Sequence, residues 1–157
     1  MARSIVVGTD GSEAADEAVR QATDMASREG ARLHLVTAYP DPQFLRVRVA
    51  SVAHTETVDL REVAESQLKR AARDALSKGV EVETHVREGH PAEVIIDVAN
   101  QEQADLIVVG SRGLTGIKRY LLGSVSSEVS HHAHCSVMIV RAPDTREPQP
   151  GSTARLS

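Results

Sequence analysis

Five short runs of branched aliphatic residues alternate along this chain with four stretches in which Ala and other apolar residues return every three or four positions. No other feature of the sequence limits the fold as strongly. A run of four or five consecutive apolar residues suits a strand covered on both faces, and the intervening period suits an amphipathic helix. Strands and helices that alternate in this way build a parallel sheet with a helical layer on each side. Right-handed crossovers leave an open doubly wound sheet as the expected topology. The expectation is an α/β fold: one domain over residues 1–142, with a five-stranded parallel sheet and helices on both faces.

The strands are expected at 4–8, 33–38, 80–86, 106–109 and 137–140. The third alternates apolar and charged residues, which suits a position near a sheet edge. The first helix carries Ala14, Ala15, Ala18, Val19, Ala22, Met25 and Ala26 at helical spacing and stops at Gly30. The second carries Leu60, Val63, Leu68, Ala71, Ala72, Ala75 and Leu76 on one stripe and stops at Gly79. Pro91 opens the third at or near its first position. Residues 123–134 read as the fourth. The stretch 43–56 shows no sustained period and reads as a loop over the fold. Residues 143–157, with Pro143, Pro148, Pro150 and Gly151, read as a disordered tail.

Composition excludes several function classes. Aromatics are 2% of the chain, so its core is aliphatic. The formal net charge is −4 with Lys and Arg scattered, whereas duplex binding usually needs a basic face; no nucleic-acid partner is expected. The single cysteine, Cys135, allows no internal disulfide and fits a reducing compartment. No apolar stretch is long enough for a bilayer, and the N-terminus lacks a signal-peptide layout, so the expected location is cytoplasmic, away from membranes.

In an open α/β sheet, ligands sit beyond the C-terminal ends of the strands. Two such ends are unusual here. After the first strand come Thr9, Asp10, Gly11 and Ser12. After the fourth come Gly110-Ser111-Arg112-Gly113-Leu114-Thr115-Gly116, followed by Gly123-Ser124-Val125-Ser126 at a helix start. Glycines let the backbone turn tightly and approach a ligand. Amides of a helix's first turn point outward unpaired and, with the helix dipole, favour an anion. Ser124 and Ser126 add hydroxyls, and Arg112, Lys118 and Arg119 add positive charge. Each feature also has a plain reading as a turn or a helix cap, Asp10 and Ser124 included. The functional reading rests on their convergence at one sheet edge.

The spacing Gly110-x2-Gly113-x9-Gly123-Ser124 resembles the nucleotide-binding signature of the universal stress protein family, G-x2-G-x9-G-S/T. Residues 5–12, 104–113 and 135–140 resemble that family's first strand and turn, its fourth strand and loop, and its last strand. The resemblance covers roughly residues 3–141. It implies an ATP site in which Thr9 and Asp10 lie beside the adenosine part and the Ala38 backbone lines the adenine pocket. Gly110 would lie near the ribose, with Arg112, Gly113, Gly123, Ser124, Val125 and Ser126 around the phosphates. It also implies a homodimer through residues 136–141, and a divalent ion such as Mg or Mn accompanying the triphosphate. Ser136 departs from the family's frequent Pro.

Other groupings carry less. His131-His132-x-His134-Cys135 has metal-ligand residue types, but neighbouring helical positions point in different directions, and Cys135 reads as a small buried side chain. His90 reads as a loop residue near the site, His34 lies within a strand, and His54 and His85 have no context. The leading function is a nucleotide-dependent regulator in stress response with little or slow hydrolysis and no catalytic residues. An ATP-using enzyme of a related fold and a protein-interaction module without nucleotide are the alternatives. No Walker A Gly-Lys-Ser/Thr, His-Ile-Gly-His or Ser-Gly-Gly-x-Asp-Ser signature is present, and no regulatory partner is named by the sequence.

Overall fold

A computed structural model describes residues 3–41, 59–112 and 122–143. Gly113, Lys118, Arg119, the 43–56 stretch and the tail after residue 143 lie outside the described residues. The strands are β1 (Ser4–Gly8), β2 (Arg32–Tyr39), β3 (Val82–Glu88), β4 (Leu106–Gly110) and β5 (Ser136–Val140). The helices are α1 (Glu13–Glu29), α2 (Leu60–Ser77), α3 (Pro91–Gln101) and α4 (Ser124–His132). The strands form one parallel sheet in the order β3-β2-β1-β4-β5, the expected open α/β architecture.

Residues two apart on a strand share a face, and each face has its own core. On one side Ile5, Val7, Leu33, Leu35 and Val108 pack against Ala18 and Ala22 of α1 and Leu68 and Ala75 of α2. On the other, Val6, Val36, Ile107 and Val109 pack against Ala92, Ile95 and Val98 of α3 and Val129 of α4. Alanine dominates the inner faces of α1 and α2, so these helices sit close to the sheet without aromatic filling.

The caps follow the sequence. The Ser12 side chain accepts a hydrogen bond from the Ala15 N–H at 3.3 Å, and Gly30 ends α1 at φ 65°, the left-handed region that favours glycine. Asp59 caps α2 through the N–H groups of Arg61 and Glu62. Pro91 is the first residue of α3, where its missing N–H costs no helical bond.

Two elements and one helix face depart from the expectation by more than a single strand-end residue. β3 runs two residues later, because its pairing follows the length of β2: Arg87 and Glu88 pair with Ala38 and Tyr39. Both are charged; Glu88 is exposed, and the half-buried Arg87 donates to the Gln101 side chain. Val63 and Leu76 are exposed rather than on the inner stripe of α2. Each neighbours a buried alanine, Ala64 or Ala75, and one residue along a helix rotates by about 100°. α4 starts after Gly123 and ends at His132, where Ala133 turns extended to enter β5.

Gly110 shows why the end of β4 admits no side chain. A Cβ there would lie 2.8 Å from the backbone of Ala14 and Ala15 in α1. The glycine is thus a packing requirement of the α1–β4 contact, beyond the tight turn expected of it. Gly110→Ala should push α1 off the strand end and cost about 1–3 kcal/mol, the usual range for overpacking. Urea denaturation should show a lower midpoint with an unchanged slope; a midpoint equal to wild type would contradict this contact.

Candidate functional site

The two segments that stood out in the sequence meet at the C-terminal edge of the sheet. β1 lies between β2 and β4, so Thr9 emerges flanked by both. Its N–H donates to the Val36 carbonyl at 2.9 Å, and its carbonyl accepts from the Thr37 hydroxyl at 2.9 Å. Thr9 is therefore fixed against the end of β2, next to Ala38, which is half-buried.

Asp10 is not the helix cap. Its Oδ1 accepts the Ser12 N–H at 2.9 Å, and Ser12 caps α1. This Asx turn sets the direction of a half-buried carboxylate at the strand end. Gly11 carries φ 79° in the same turn, a conformation that favours glycine. Ser12 also reaches the second segment: its hydroxyl lies 3.5 Å from the Arg112 carbonyl oxygen. Arg112 is half-buried beside it.

Ser111 organises the second segment. Its N–H donates to the Val140 carbonyl at 2.7 Å, and its own carbonyl accepts the Gly123 N–H at 2.7 Å. Thus the end of β4 is bound to the end of β5 and to the start of α4 at once. Ser111 and Ser12 belong to the two unusual strand-end segments, but neither is among the residues expected around the ligand. The Ser at 12, two residues after an Asp and just before a helical period, was the available signal for the cap.

Gly123 is the N-cap of α4 at φ −64° and ψ 164°, with no side-chain hydrogen bond to the helix. A glycine in this place leaves the first-turn amides of Ser124, Val125 and Ser126 without a side-chain cap, and the helix dipole makes that end attractive to an anion. Ser124 is exposed. Val125 is half-buried against the second core cluster, so what it offers a ligand is its amide.

Ser126 corrects the expectation of an outward hydroxyl. It is 1% exposed, and its hydroxyl faces the carbonyls of Ser111 at 3.1 Å and Gly123 at 3.0 Å. Its single hydroxyl hydrogen is used within the protein, fastening α4 to the loop. Gly113 lies outside the described residues, so the structure brings together Thr9, Asp10, Ala38, Gly110, Arg112, Gly123, Ser124, Val125 and Ser126 through the contacts above.

The described histidines fall in three places. His90, the N-cap of α3, lies 3.4 Å from the Glu128 carboxylate of α4. The His131–Cys135 grouping forms no cluster: His132 Nδ1 is 3.0 Å from the Glu128 carbonyl oxygen, and the rings of His131 and His132 are 6.5 Å apart between centroids. Cys135 is half-buried rather than buried, and desolvation together with the Asp105 carboxylate pushes its thiol pKa up. His34 and His85 did have a context that the sequence hid: the β2–β3 register brings their rings into contact.

Comparison with known proteins agrees with this fold. The sequence profile of the Universal stress protein family matches residues 1–141. Universal stress protein MJ0531 of Methanocaldococcus jannaschii is 34% identical over 141 residues, covering 90% of this chain and 83% of that protein. A universal stress protein solved in complex with cAMP is 30% identical, with a TM-score of 0.66, covering 90% of this chain and 98% of its own. The universal stress protein from Archaeoglobus fulgidus, in complex with dAMP, is 25% identical with a TM-score of 0.66 over 88% of this chain and 97% of its own. No described helix is long and apolar enough to cross a membrane. With its sheet order, its paired strand-end loops and these relatives, the chain belongs to the universal stress protein family.

Proposed function

We propose that this protein binds ATP at the C-terminal edge of its sheet and acts as a nucleotide-dependent regulator in stress response. The observation that carries the reading is the uncapped start of α4 at Gly123, tied by Ser111 to the edge where Asp10 and Ala38 lie. Solved relatives holding cAMP and dAMP support an adenine nucleotide as the ligand. The base and ribose would sit beside Ala38, Thr9 and Asp10. The phosphates would lie over the amides of Ser124 and Val125, with Arg112 and the Gly113 segment of the signature on the other side. Mg2+ or Mn2+ would accompany the triphosphate.

Hydrolysis is expected to be slow. A general base must reach an attacking water, yet Asp10 is held by its own turn and His90 lies against the Glu128 carboxylate at 3.4 Å. With excess ATP, phosphate release should stay far below about 1 per second, the low end of ordinary enzyme turnover. Rapid multiple turnover would favour an ATP-using enzyme instead.

The proposed assembly is a homodimer through β5. That strand is an edge of the sheet, with Val137, Met138 and Ile139 half-buried. Pairing across a two-fold axis would cover its unpaired backbone groups. Sedimentation equilibrium should give twice the chain mass; a monomer at micromolar concentration would contradict this.

Two substitutions test the site apart from the fold. Gly123→Asp suits the observed φ and ψ, and Asp is a favoured N-cap, so the melting temperature should hold or rise. Its carboxylate would occupy the amides and repel phosphate. Calorimetry should give wild type a micromolar dissociation constant for ATP, about −8 kcal/mol. It should give Gly123→Asp at least tenfold weaker binding, about 1.4 kcal/mol. Asp10→Ala should weaken ATP and adenosine alike. Equal ATP affinity in wild type and Gly123→Asp would count against the placement of the phosphates.

A further inference from the structure

A second polar cluster lies on the face of the sheet covered by α3, away from the strand-end loops. His34 of β2 pairs in register with Glu83 of β3, and Val36 pairs with His85, so His34, Glu83 and His85 point to one face. His34 Nδ1 lies 3.0 Å from His85 Nε2. The Glu83 carboxylate lies 3.8 Å from His34 Nδ1 and 3.9 Å from His85 Nε2. Glu102, the C-cap of α3, comes from the other side and faces His34 Nε2 at 4.0 Å. One donor atom from each of the four lies within 4.8 Å of the others. His34 is 1% exposed and the His85 side chain 9%.

Two imidazole nitrogens facing each other share one proton between two lone pairs. Burial holds both histidines below the ordinary imidazole pKa, and the neighbouring ring lowers His85 further. The neutral imidazole is the form that ligates metals. Two carboxylates beside two neutral rings leave the cluster with an excess of negative charge. The guanidinium groups nearby have other partners: Arg32 pairs with Glu81 at 2.6 Å, and Arg87 donates to the Gln101 side-chain oxygen at 2.7 Å.

We propose that His34, His85 and Glu83 form a binding site for a divalent transition-metal ion of the zinc type, with Glu102 orienting the His34 ring. The proton between the rings moves to the far nitrogen of its own ring, which frees both facing lone pairs for such an ion, and the ion's charge balances the two carboxylates. Nitrogens bound tetrahedrally to zinc at about 2.0–2.1 Å stand about 3.3 Å apart, close to the separation here. Glu83 is 52% exposed on the edge strand and needs only a small rotation inward. Imidazole and carboxylate donors suit zinc and its neighbours. Glu102 takes the place of the carboxylate that commonly fixes the second nitrogen of a ligating histidine.

The site is separate from the proposed nucleotide edge. His34 precedes Ala38 by four strand residues, about 13 Å at the usual rise. Metal there would clamp the edge strand β3 to β2 beneath the end of α3.

The test uses the full-length, untagged, nucleotide-free protein carrying H131A, H132A and H134A, which removes the exposed histidines at the end of α4 and just after it. Zn2+ is titrated by calorimetry and thermal melting, and Co2+ by visible absorption. We expect one ion per chain, a raised melting temperature, and a visible cobalt spectrum of nitrogen and oxygen ligation. H85Q and E83Q should each weaken binding at least tenfold, and E102Q by about tenfold. If H85Q fails to fold, E83Q on the exposed edge decides the matter. No saturable binding up to millimolar Zn2+, or the same affinity with and without E83Q, would overturn the proposal.

Discussion

Where β1 meets β4, the connections of the sheet turn away in opposite directions. From β1 the chain passes over one edge to β2, and from β4 it passes to β5 on the other side. That point, at the C-terminal edge, is where an open α/β sheet places its ligand crevice, and here Ser12 after β1 meets Arg112 after β4. The pairing of Ile5, Val6 and Val7 with Leu106, Ile107 and Val108 fixes that crevice. Both strands are buried on both faces, so their register cannot slip without exposing an entire aliphatic set. Every later feature of the site is hung from this pair.

The site is then assembled almost wholly from backbone. Thr9 is bonded to β2, Ser12 caps α1 and reaches Arg112, and Ser111 joins β4, β5 and α4. Gly110 allows α1 to lie directly on the strand end. Such bonding leaves little for side chains to do except hold the amides of α4 in place, and the hydroxyl of Ser126 is used for that purpose. A site of fixed main-chain donors costs little to organise when an anion arrives.

The fold was legible because its signals are local. Unbroken runs such as Leu106-Ile107-Val108-Val109 fit a doubly covered strand, and Gly30 and Pro91 mark helix ends by their backbone geometry. The site edge was legible for the same reason, since strand-end turns and helix starts have residue signatures. Burial of a given hydroxyl was not: Ser124 and Ser126 look alike in sequence, yet one is exposed and the other points inward. Nor was the role of Gly110, which depends on a helix about 95 residues earlier. The His34–His85 contact was hidden entirely, because it follows from the register of two strands separated by 51 positions. Long-range register is set by packing of the whole sheet and has no local sequence mark.

In the proposed complex, free amides at the start of α4 grip the phosphates of a nucleotide. Nitrogen-15 NMR on the folded protein reads those groups directly. Titration with ATP should move the amide signals of Ser124 and Val125 strongly, while adenosine alone should move those near Asp10 and Ala38 and leave the α4 signals in place. If ATP binds and the α4 amides do not respond, or respond equally to adenosine, the phosphates lie elsewhere and the account of this site is wrong.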